Sequence, residues 1–349
     1  YKSRVEDSER LLLKIGGKSM GINNGYYISA YCDIDPMGNI LNTSVRHDQN
    51  ISLWKVENNK VVLVHHCELE RVSGIKHHNI SFYSFNDFYE FLDEILNSYQ
   101  ITSQDIVKII GMNSQTTYLE SQIAYHSICH LYACAGMDSD IFYNEDILAL
   151  SLDAEPDSLY QQDAKRKYYY AGAYIKQGKA IYFPIDSPGV LWTEAVEAFK
   201  MPEGTLMAIA SASKSVSYSE YNFTDHIRKK DDSGNARLFV QKMCKEIMGY
   251  TQTDQGIKFN FYDERFTEYE NKVSMVMKII QDVSIRIVDR TIDDAVRKYS
   301  INPQKTYIAL SGGYSLNCPT NTHIMHKYKF KGQLMIPCVN DSGQSIGIG

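Results

Sequence analysis

The sequence predicts a layered α/β protein built in two lobes. Helix and strand patterns alternate along its first half, which is typical of sheets covered by helices. The 349 residues exceed the ~150 of one ordinary core, which favours two lobes. There is no apolar run of about 18 residues and no pattern of a secretory signal. With seven cysteines and no C-x-x-C pair, we expect a cytoplasmic, reducing location and no membrane partner.

The first half alternates strands rich in β-branched and aromatic residues with amphipathic or small-residue helices. Ser84 and Asn86 are candidate N-caps of the first long helix. The predicted elements are, in order, the strands YYISAY (26–31), ISLWKV (51–56) and KVVLVHH (60–66), the helix SFNDFYEFLDEILNSY, the strand IVKIIGMN (106–113), the helix SQIAYHSICHLYACAG and the strand DILALSLDA.

The second half starts with a tyrosine-rich stretch that predicts paired strands around the turn Gln177-Gly178. Apolar residues at helical spacing then predict one long helix from about Thr267 to Lys298. The last predicted elements are the strand KTYIALSGG, the helix SLNCPTNTHIMHKY and the strand QLMIPC.

The stretch HSICH places His126 and His130 four residues apart. On a helix this spacing puts both imidazoles on one face, where they can reach one cation. Two histidines that merely share a helix would show the same spacing. Asp341 in VNDSGQSIG is the candidate third ligand, since it follows a buried strand on a tight loop, although capping the next helix would also explain it.

Gly312 and Gly313 end a predicted strand just before a helix. Missing side chains there allow backbone N–H groups to approach a phosphate, and the helix N-terminus adds positive potential. Asn317 and Asn321 could face the same nucleotide. An ordinary turn followed by polar helix positions is the alternative.

Ionisable residues crowd two strand ends near the front of the chain, in RHDQNISLW and HHCELERVSGIKHH. Such density is usual at active sites of layered α/β folds, and a solvated charged loop is the alternative. The net charge of −6 argues against extended binding to a nucleic-acid backbone.

Five motifs in this order resemble the O-carbamoyltransferases of the nodulation and nebramycin type. They are HD-x-x-x-S-L, E-x-E-R-x-x-x-x-K-H, H-x-x-x-H, SGGYSLNCPTN and P-x-x-N-D-S-G-Q-S-I-G. The resemblance implies the two-lobed sugar kinase/Hsp70/actin fold, which is ribonuclease H-like, with mixed sheets flanked by helices. It divides the chain into an extension (1–25), a first lobe (26–150) and a second lobe with the adenylate-binding loops (151–349).

The resemblance also implies a reaction. The family transfers a carbamoyl group from carbamoyl-adenylate, made from ATP and carbamoyl phosphate, to an acceptor hydroxyl beside an Fe(2+) ion. The acceptor would be an antibiotic, a sugar or a hydroxymethylated nucleobase or nucleotide, and a homodimer is one assembly to test. A nucleotide-binding regulatory domain without turnover and a threonylcarbamoyl transferase acting on tRNA are the alternatives.

Roles follow from the matching positions. His126, His130 and Asp341 become ligands of iron or another divalent metal, His47 the candidate general base, and Lys76 the group that neutralises the phosphate or carbamoyl oxygen. The implied nucleotide-binding residues are Gly312, Gly313, Asn317, Asn321, Glu203, Gly204 and Asp153.

The sequence departs from the family in four places. The D-G-x-G phosphate loop reads Asp153-Ala154-Glu155-Pro156, and Thr205 replaces the lysine of E-G-K. CDIDPMGNILNTSVR is inserted before His47, and we expect an extra hairpin there. The chain stops at Gly349, before the expected synthetase-like domain, so we expect the activating half elsewhere.

Overall fold

The computed structural model describes most of the chain. The described ranges are 22–41, 46–58, 60–112, 122–156 and 167–349. Nearly all of the predicted extension and the end of the inserted segment, residues 42–45, lie outside them. The described start of the insertion contains a short helix, Pro36–Leu41, instead of the expected hairpin.

The strands form two sheets. In chain order they are β1 (Gly25–Tyr31), β2 (Asn50–Glu57), β3 (Lys60–Glu68), β4 (Ile106–Ile110), β5 (Asp146–Ser151), β6 (Ala171–Lys176), β7 (Lys179–Pro184), β8 (Thr306–Ser311) and β9 (Gly332–Leu334). The first sheet has the order β3-β2-β1-β4 and the second β7-β6-β5-β8-β9.

Both sheets follow one plan. In each sheet three antiparallel strands come first, and the next strand pairs in parallel with the free side of the first one. In the second sheet β9 then pairs in parallel with β8. This repeated order confirms the predicted fold class, two α/β lobes with mixed sheets flanked by helices. The predicted boundary between the two lobes, after residue 150, falls within β5. This strand pairs with β6 and β8, so it belongs entirely to the second sheet.

The helices lie between and around the sheets. They are α1 (Pro36–Leu41), α2 (Leu69–Ser73), α3 (Phe85–Asn97), α4 (Tyr125–Ala135), α5 (Ser139–Asn144), α6 (Gly189–Phe199), α7 (Glu203–Ala212), α8 (Ser233–Met248), α9 (Glu268–Tyr299), α10 (Cys318–Tyr328) and α11 (Gln344–Ile348). None of the helices in these ranges is long and apolar enough to cross a bilayer.

Local sequence explains the helix boundaries. Ser84 caps α3 by accepting a hydrogen bond from the Asp87 N–H. Thr267 and Glu270 form a capping box at the start of α9, and Ser300 ends that helix in the left-handed conformation. The long helix predicted from Thr267 to Lys298 is therefore confirmed.

The short helix α11 joins the two lobes. It contacts α4, which packs on β5, β6 and β8 of the second sheet, as well as β1 and β2 of the first sheet. Ser345 lies at this junction, where its hydroxyl meets Ser52 Oγ at 2.7 Å and its carbonyl accepts from Ser29. This junction brings the loop before β2 next to Asp341, just before α11.

Candidate functional site

Two histidines and two aspartates converge beside α4. Asp341 Oδ1 lies 3.3 Å from His126 Nε2 and 3.1 Å from His130 Nε2. Asp153 Oδ2 lies 3.3 and 3.5 Å from the same two nitrogens. One ligand atom of each residue lies within 4.8 Å of the others, and all four residues are buried. The three predicted ligands thus come together, and Asp153 joins them; we call these four residues the cation cluster.

Parallel strand pairing explains the position of Asp153. Strands β5 and β8 pair in parallel, so their carboxyl ends open at the same edge of the sheet. Asp153 follows β5, and Gly312-Gly313 follow β8. The Gly313 N–H donates to Asp153 Oδ1 at 3.1 Å, which leaves Oδ2 directed at the histidines.

The cluster needs positive charge. Within the described ranges, every ion-pair partner of Asp153 and Asp341 is a histidine. Burial lowers the pKa of His126, but Asp341 and Asp153 outweigh it and raise that pKa to about 10. Burial likewise opposes ionisation of Asp341, yet the histidines hold its pKa well below the usual range. Two buried carboxylates therefore depend on either two imidazolium groups or a cation.

His47 lies against this cluster. Its Nδ1 donates to Asp48 Oδ2 at 2.8 Å, and its Nε2 lies 3.5 Å from Asp341 Oδ2. The hydrogen bond with Asp48 raises the pKa of His47 to about 9, and Asp341 adds to the rise. More than half of the side chain, 58%, is exposed, so a molecule from solvent can reach the ring.

Buried polar contacts fix the loop that carries His47. Arg46 forms a buried ion pair with Asp33 at 3.3 Å. The fully buried Asn50 amide donates to Asp48 O at 2.7 Å and to Asp341 O at 2.8 Å, and it accepts from the Ser345 N–H at 2.8 Å. One side chain thus holds the His47 loop and the Asp341 loop together.

The glycine loop approaches the end of β5 closely. Gly312 has φ +89°, and a Cβ atom there would lie 2.4 Å from Leu152 O. At Gly313 the nearest atom to such a Cβ would be Asp153 Oδ1, at 3.3 Å. Gly312 is therefore required by the backbone, whereas a side chain at Gly313 would need Asp153 to shift by a few tenths of an ångström.

A groove of about 780 Å³ opens beside this loop, between α10 and the segment after β9. Leu316, Met335, Pro337 and Val339 give it apolar walls, and Asn321 lies on its lining. Its apolar walls suit a flat heterocycle such as adenine, and its size leaves room for more than the base.

The other predicted nucleotide residues lie in different settings. Asn317 is fully buried. Its side chain caps α10 by accepting from the Thr320 N–H, and it donates to Gln281 Oε1 at 2.8 Å. Glu203 and Gly204 are exposed in the first turn of α7. Lys76 is exposed in the turn after α2 and has no hydrogen bond or ion pair to another described residue.

The sequence pointed to some of these residues only partly. The sequence predicted that Asp153 binds a phosphate, not that it joins the histidines. Its position after β5, which pairs in parallel with β8, places it at the same edge of the sheet as Gly312. Asn50 was not predicted to have a role, and His77 was predicted only as one of the ionisable residues crowded near the front of the chain. Asn50 reaches Asp341, and His77 reaches Asp48, across long stretches of the chain, so spacing gave no signal for these contacts.

No family model and no curated protein matches the sequence. Among solved structures, an activator of 2-hydroxyisocaproyl-CoA dehydratase from Clostridium difficile with bound ADPNP is similar at a TM-score of 0.43 and 8% identity, covering 93% of this chain and 92% of that one. Full-length HypF in its phosphate- and nucleotide-bound form is similar at 0.48 and 10%, covering 93% and 55%. T. kodakarensis HypF is similar at 0.45 and 9%, covering 93% and 47%, so the chain spans about half of each HypF chain. These values are too low to indicate a shared activity.

Proposed function

We propose that this chain transfers a carbamoyl group from carbamoyl-adenylate to an acceptor hydroxyl, with a divalent cation and a nucleotide bound at adjacent places. The observation that carries the proposal is the buried convergence of His126, His130, Asp153 and Asp341, with His47 3.5 Å away from Asp341. The five ordered motifs contain His47, His126, His130 and Asp341 but not Asp153, and they supply the carbamoyl chemistry through the resemblance.

The donor set fits a divalent cation. Two imidazole nitrogens and two carboxylate oxygens suit Fe(2+), Zn(2+) or Mn(2+). The buried carboxylates have no lysine or arginine among their described ion-pair partners, so a cation would compensate their charge. Once bound, it would supply Lewis-acid stabilisation of charge on phosphate or carbamoyl oxygens.

The nucleotide would bind with its phosphate at the glycine loop and its base in the groove. Gly313 leaves the approach to Asp153 open, which suits a phosphate next to the cation cluster. The apolar groove lined by Leu316 and Met335 would take the adenine. Asn321 already donates its Nδ2–H to Ser315 O at 2.7 Å, so it would offer its Oδ1 to the nucleotide. Both amide atoms of Asn317 are hydrogen-bonded within the fold.

His47 is placed to accept the hydroxyl proton. The acceptor oxygen would attack the carbamoyl carbon, the bond from that carbon to the adenylate phosphate oxygen would break, and AMP would leave. The hydroxyl proton would pass to His47 Nε2, while Asp48 holds Nδ1–H on the other side of the ring. A neutral imidazole is needed for this step. The hydrogen bond with Asp48, the main cause of the raised pKa of His47, would remain. A cation held by Asp153 and Asp341 would cancel the smaller part of the rise that comes from those two carboxylates.

The acceptor stays open among antibiotics, sugars and hydroxymethylated nucleobases or nucleotides. We propose that a synthetase-like domain, on this or another chain, supplies carbamoyl-adenylate from ATP and carbamoyl phosphate. Lys76, exposed and close in sequence to the His77 contact with Asp48, remains a candidate for the phosphate or carbamoyl oxygen. Glu203 and Gly204 remain candidates for the nucleotide.

Mass spectrometry tests the proposal. The chain is incubated with preformed carbamoyl-adenylate, Mn(2+) and a panel of the three acceptor classes, and products are searched for one added carbamoyl group. Carbamoylated product from the wild type, absent with Asp341→Asn, supports transfer. Tight nucleotide binding without product in any class favours the regulatory alternative. Modification of tRNA in a parallel reaction that contains threonylcarbamoyl-adenylate and tRNA, without product from the panel, favours the threonylcarbamoyl type.

A further inference from the structure

Two imidazoles share the carboxylate of Asp48. His47 Nδ1 lies 2.8 Å from Oδ2, and His77 Nδ1 lies 3.0 Å from Oδ1. The two rings meet edge to face, with their centroids 6.3 Å apart. His77 comes from the turn after α2, far along the chain from the loop before β2, so the contact depends on the fold.

The backbone fixes His77 in this position. The Asp48 N–H donates to His77 O, and the His77 N–H donates to Glu70 Oε2 at 2.5 Å. Asp48, His77 and His78 have φ values of +55°, +63° and +32°, a region that residues other than glycine seldom adopt. Such conformations persist only where neighbouring contacts hold them, as they do here.

A carboxylate with one partner can rotate about its terminal torsion. With each oxygen accepting from a different imidazole, Asp48 keeps Oδ2 on His47 Nδ1. That bond places the proton of neutral His47 on Nδ1 and leaves Nε2 directed at the cluster. We propose that His77 is a positioning residue, which holds Asp48 so that His47 presents a proton-free Nε2 to the acceptor hydroxyl. The inference rests on the proposed function only where it predicts that a change at His77 alters the rate of carbamoyl transfer.

A second cation is the competing explanation. Asp48, Glu70 and His77 each offer a ligand atom within 4.8 Å of the others. However, Glu70 Oε2 already accepts the His77 N–H, and 56% of the His77 side chain is exposed. These contacts favour the positioning role.

Three variants test it. His77→Ala removes the contact, and His77→Asn restores a donor close to Nδ1 in a residue that tolerates positive φ. His78→Ala is the matched control, because His78 also has positive φ and its ring contacts Ser73 Oγ at 2.8 Å instead of Asp48. Single-turnover transfer, cation binding by calorimetry and the ¹⁵N spectrum of labelled histidines are measured, with His47 assigned by its loss in His47→Asn.

We expect His77→Ala to slow transfer by about 10- to 100-fold, as loss of a supporting partner does, with unchanged cation stoichiometry and affinity. His77→Asn should recover most of the rate, and His78→Ala should stay within about twofold. The His47 nitrogen signals should shift in His77→Ala and not in His78→Ala. Equal effects of the two alanine variants, unmoved His47 signals, or a second bound cation lost with His77 would overturn the inference. If the wild type transfers nothing, the proposed function fails and the His47 signals alone decide the positioning role.

Discussion

Replacing Asp153 by Asn should uncouple the stability of the protein from divalent cations. Asp153 was expected to contact a phosphate, but its Oδ2 lies 3.3 Å from His126 Nε2 and 3.5 Å from His130 Nε2. The amide of Asn can still accept from the Gly313 N–H, which donates to Oδ1 at 3.1 Å in the native chain. The substitution therefore removes one charge of the cluster and keeps the local turn.

The size of the effect follows from linkage. At a free cation concentration 100 times the Kd, binding stabilises the folded state by about 2.7 kcal/mol. Removing a residue that only supports a metal ligand weakens metal affinity by up to about 100-fold. Loss of a direct ligand should therefore weaken cation binding by at least that factor. The same cation concentration then stabilises the variant by only about 0.4 kcal/mol.

Urea unfolding with Mn(2+) and with a chelator measures the difference. The wild type should lose about 2.3 kcal/mol more than Asp153→Asn when the cation is removed. Asp146→Asn is the control, because Asp146 starts the same strand and contacts Tyr174 instead of the cluster. The reasoning is refuted if Asp153→Asn keeps the full cation-dependent stabilisation, or if Asp146→Asn loses it equally.

Gly312→Ala should lower the free energy of unfolding by more than about 3 kcal/mol, because φ is positive at this position and the new Cβ would clash with Leu152 O. Chemical unfolding measures this loss, and a loss below about 1 kcal/mol would contradict the prediction. Gly313→Val should fold and lose ATP affinity, measured by calorimetry, and unchanged affinity would remove the glycine loop from the nucleotide site. Asn317→Ala should cost about 1–2 kcal/mol as a lost cap, seen as a lower urea midpoint, with nucleotide affinity retained; the reverse pattern would make Asn317 a ligand. His47→Asn should slow single-turnover transfer by about 10² to 10⁴-fold with normal folding and nucleotide binding, and a wild-type rate would end its role as base.

Regular patterns in the sequence predicted much of the fold. The apolar spacing indicated the long helix α9, and the alternation of elements indicated a layered α/β fold. The two lobes with mixed sheets followed from the length of the chain and from the resemblance. His126 and His130 were recognisable because an i, i+4 pair is a local geometric fact about a helix. Such features depend only on neighbouring residues, which the sequence displays directly.

Features that depend on distant pairing were less visible. Asp153 joins the cluster only because β5 pairs in parallel with β8. Asn317 is occupied because Gln281, on α9, lies opposite it. The predicted hairpin in the insertion gave way to a helix, α1, where Asp35 Oδ1 accepts from the Met37 and Gly38 N–H groups.

Calorimetric titration with carbamoyl-adenylate, with and without Mn(2+), tests most directly whether the cation cluster and the nucleotide site act together. The wild type should bind the ligand tightly with Mn(2+) and much more weakly in chelator, and Asp341→Asn should bind weakly in both conditions. Equal affinity in all four measurements would contradict the account, because the ligand would then bind without the cluster formed by His126, His130, Asp153 and Asp341.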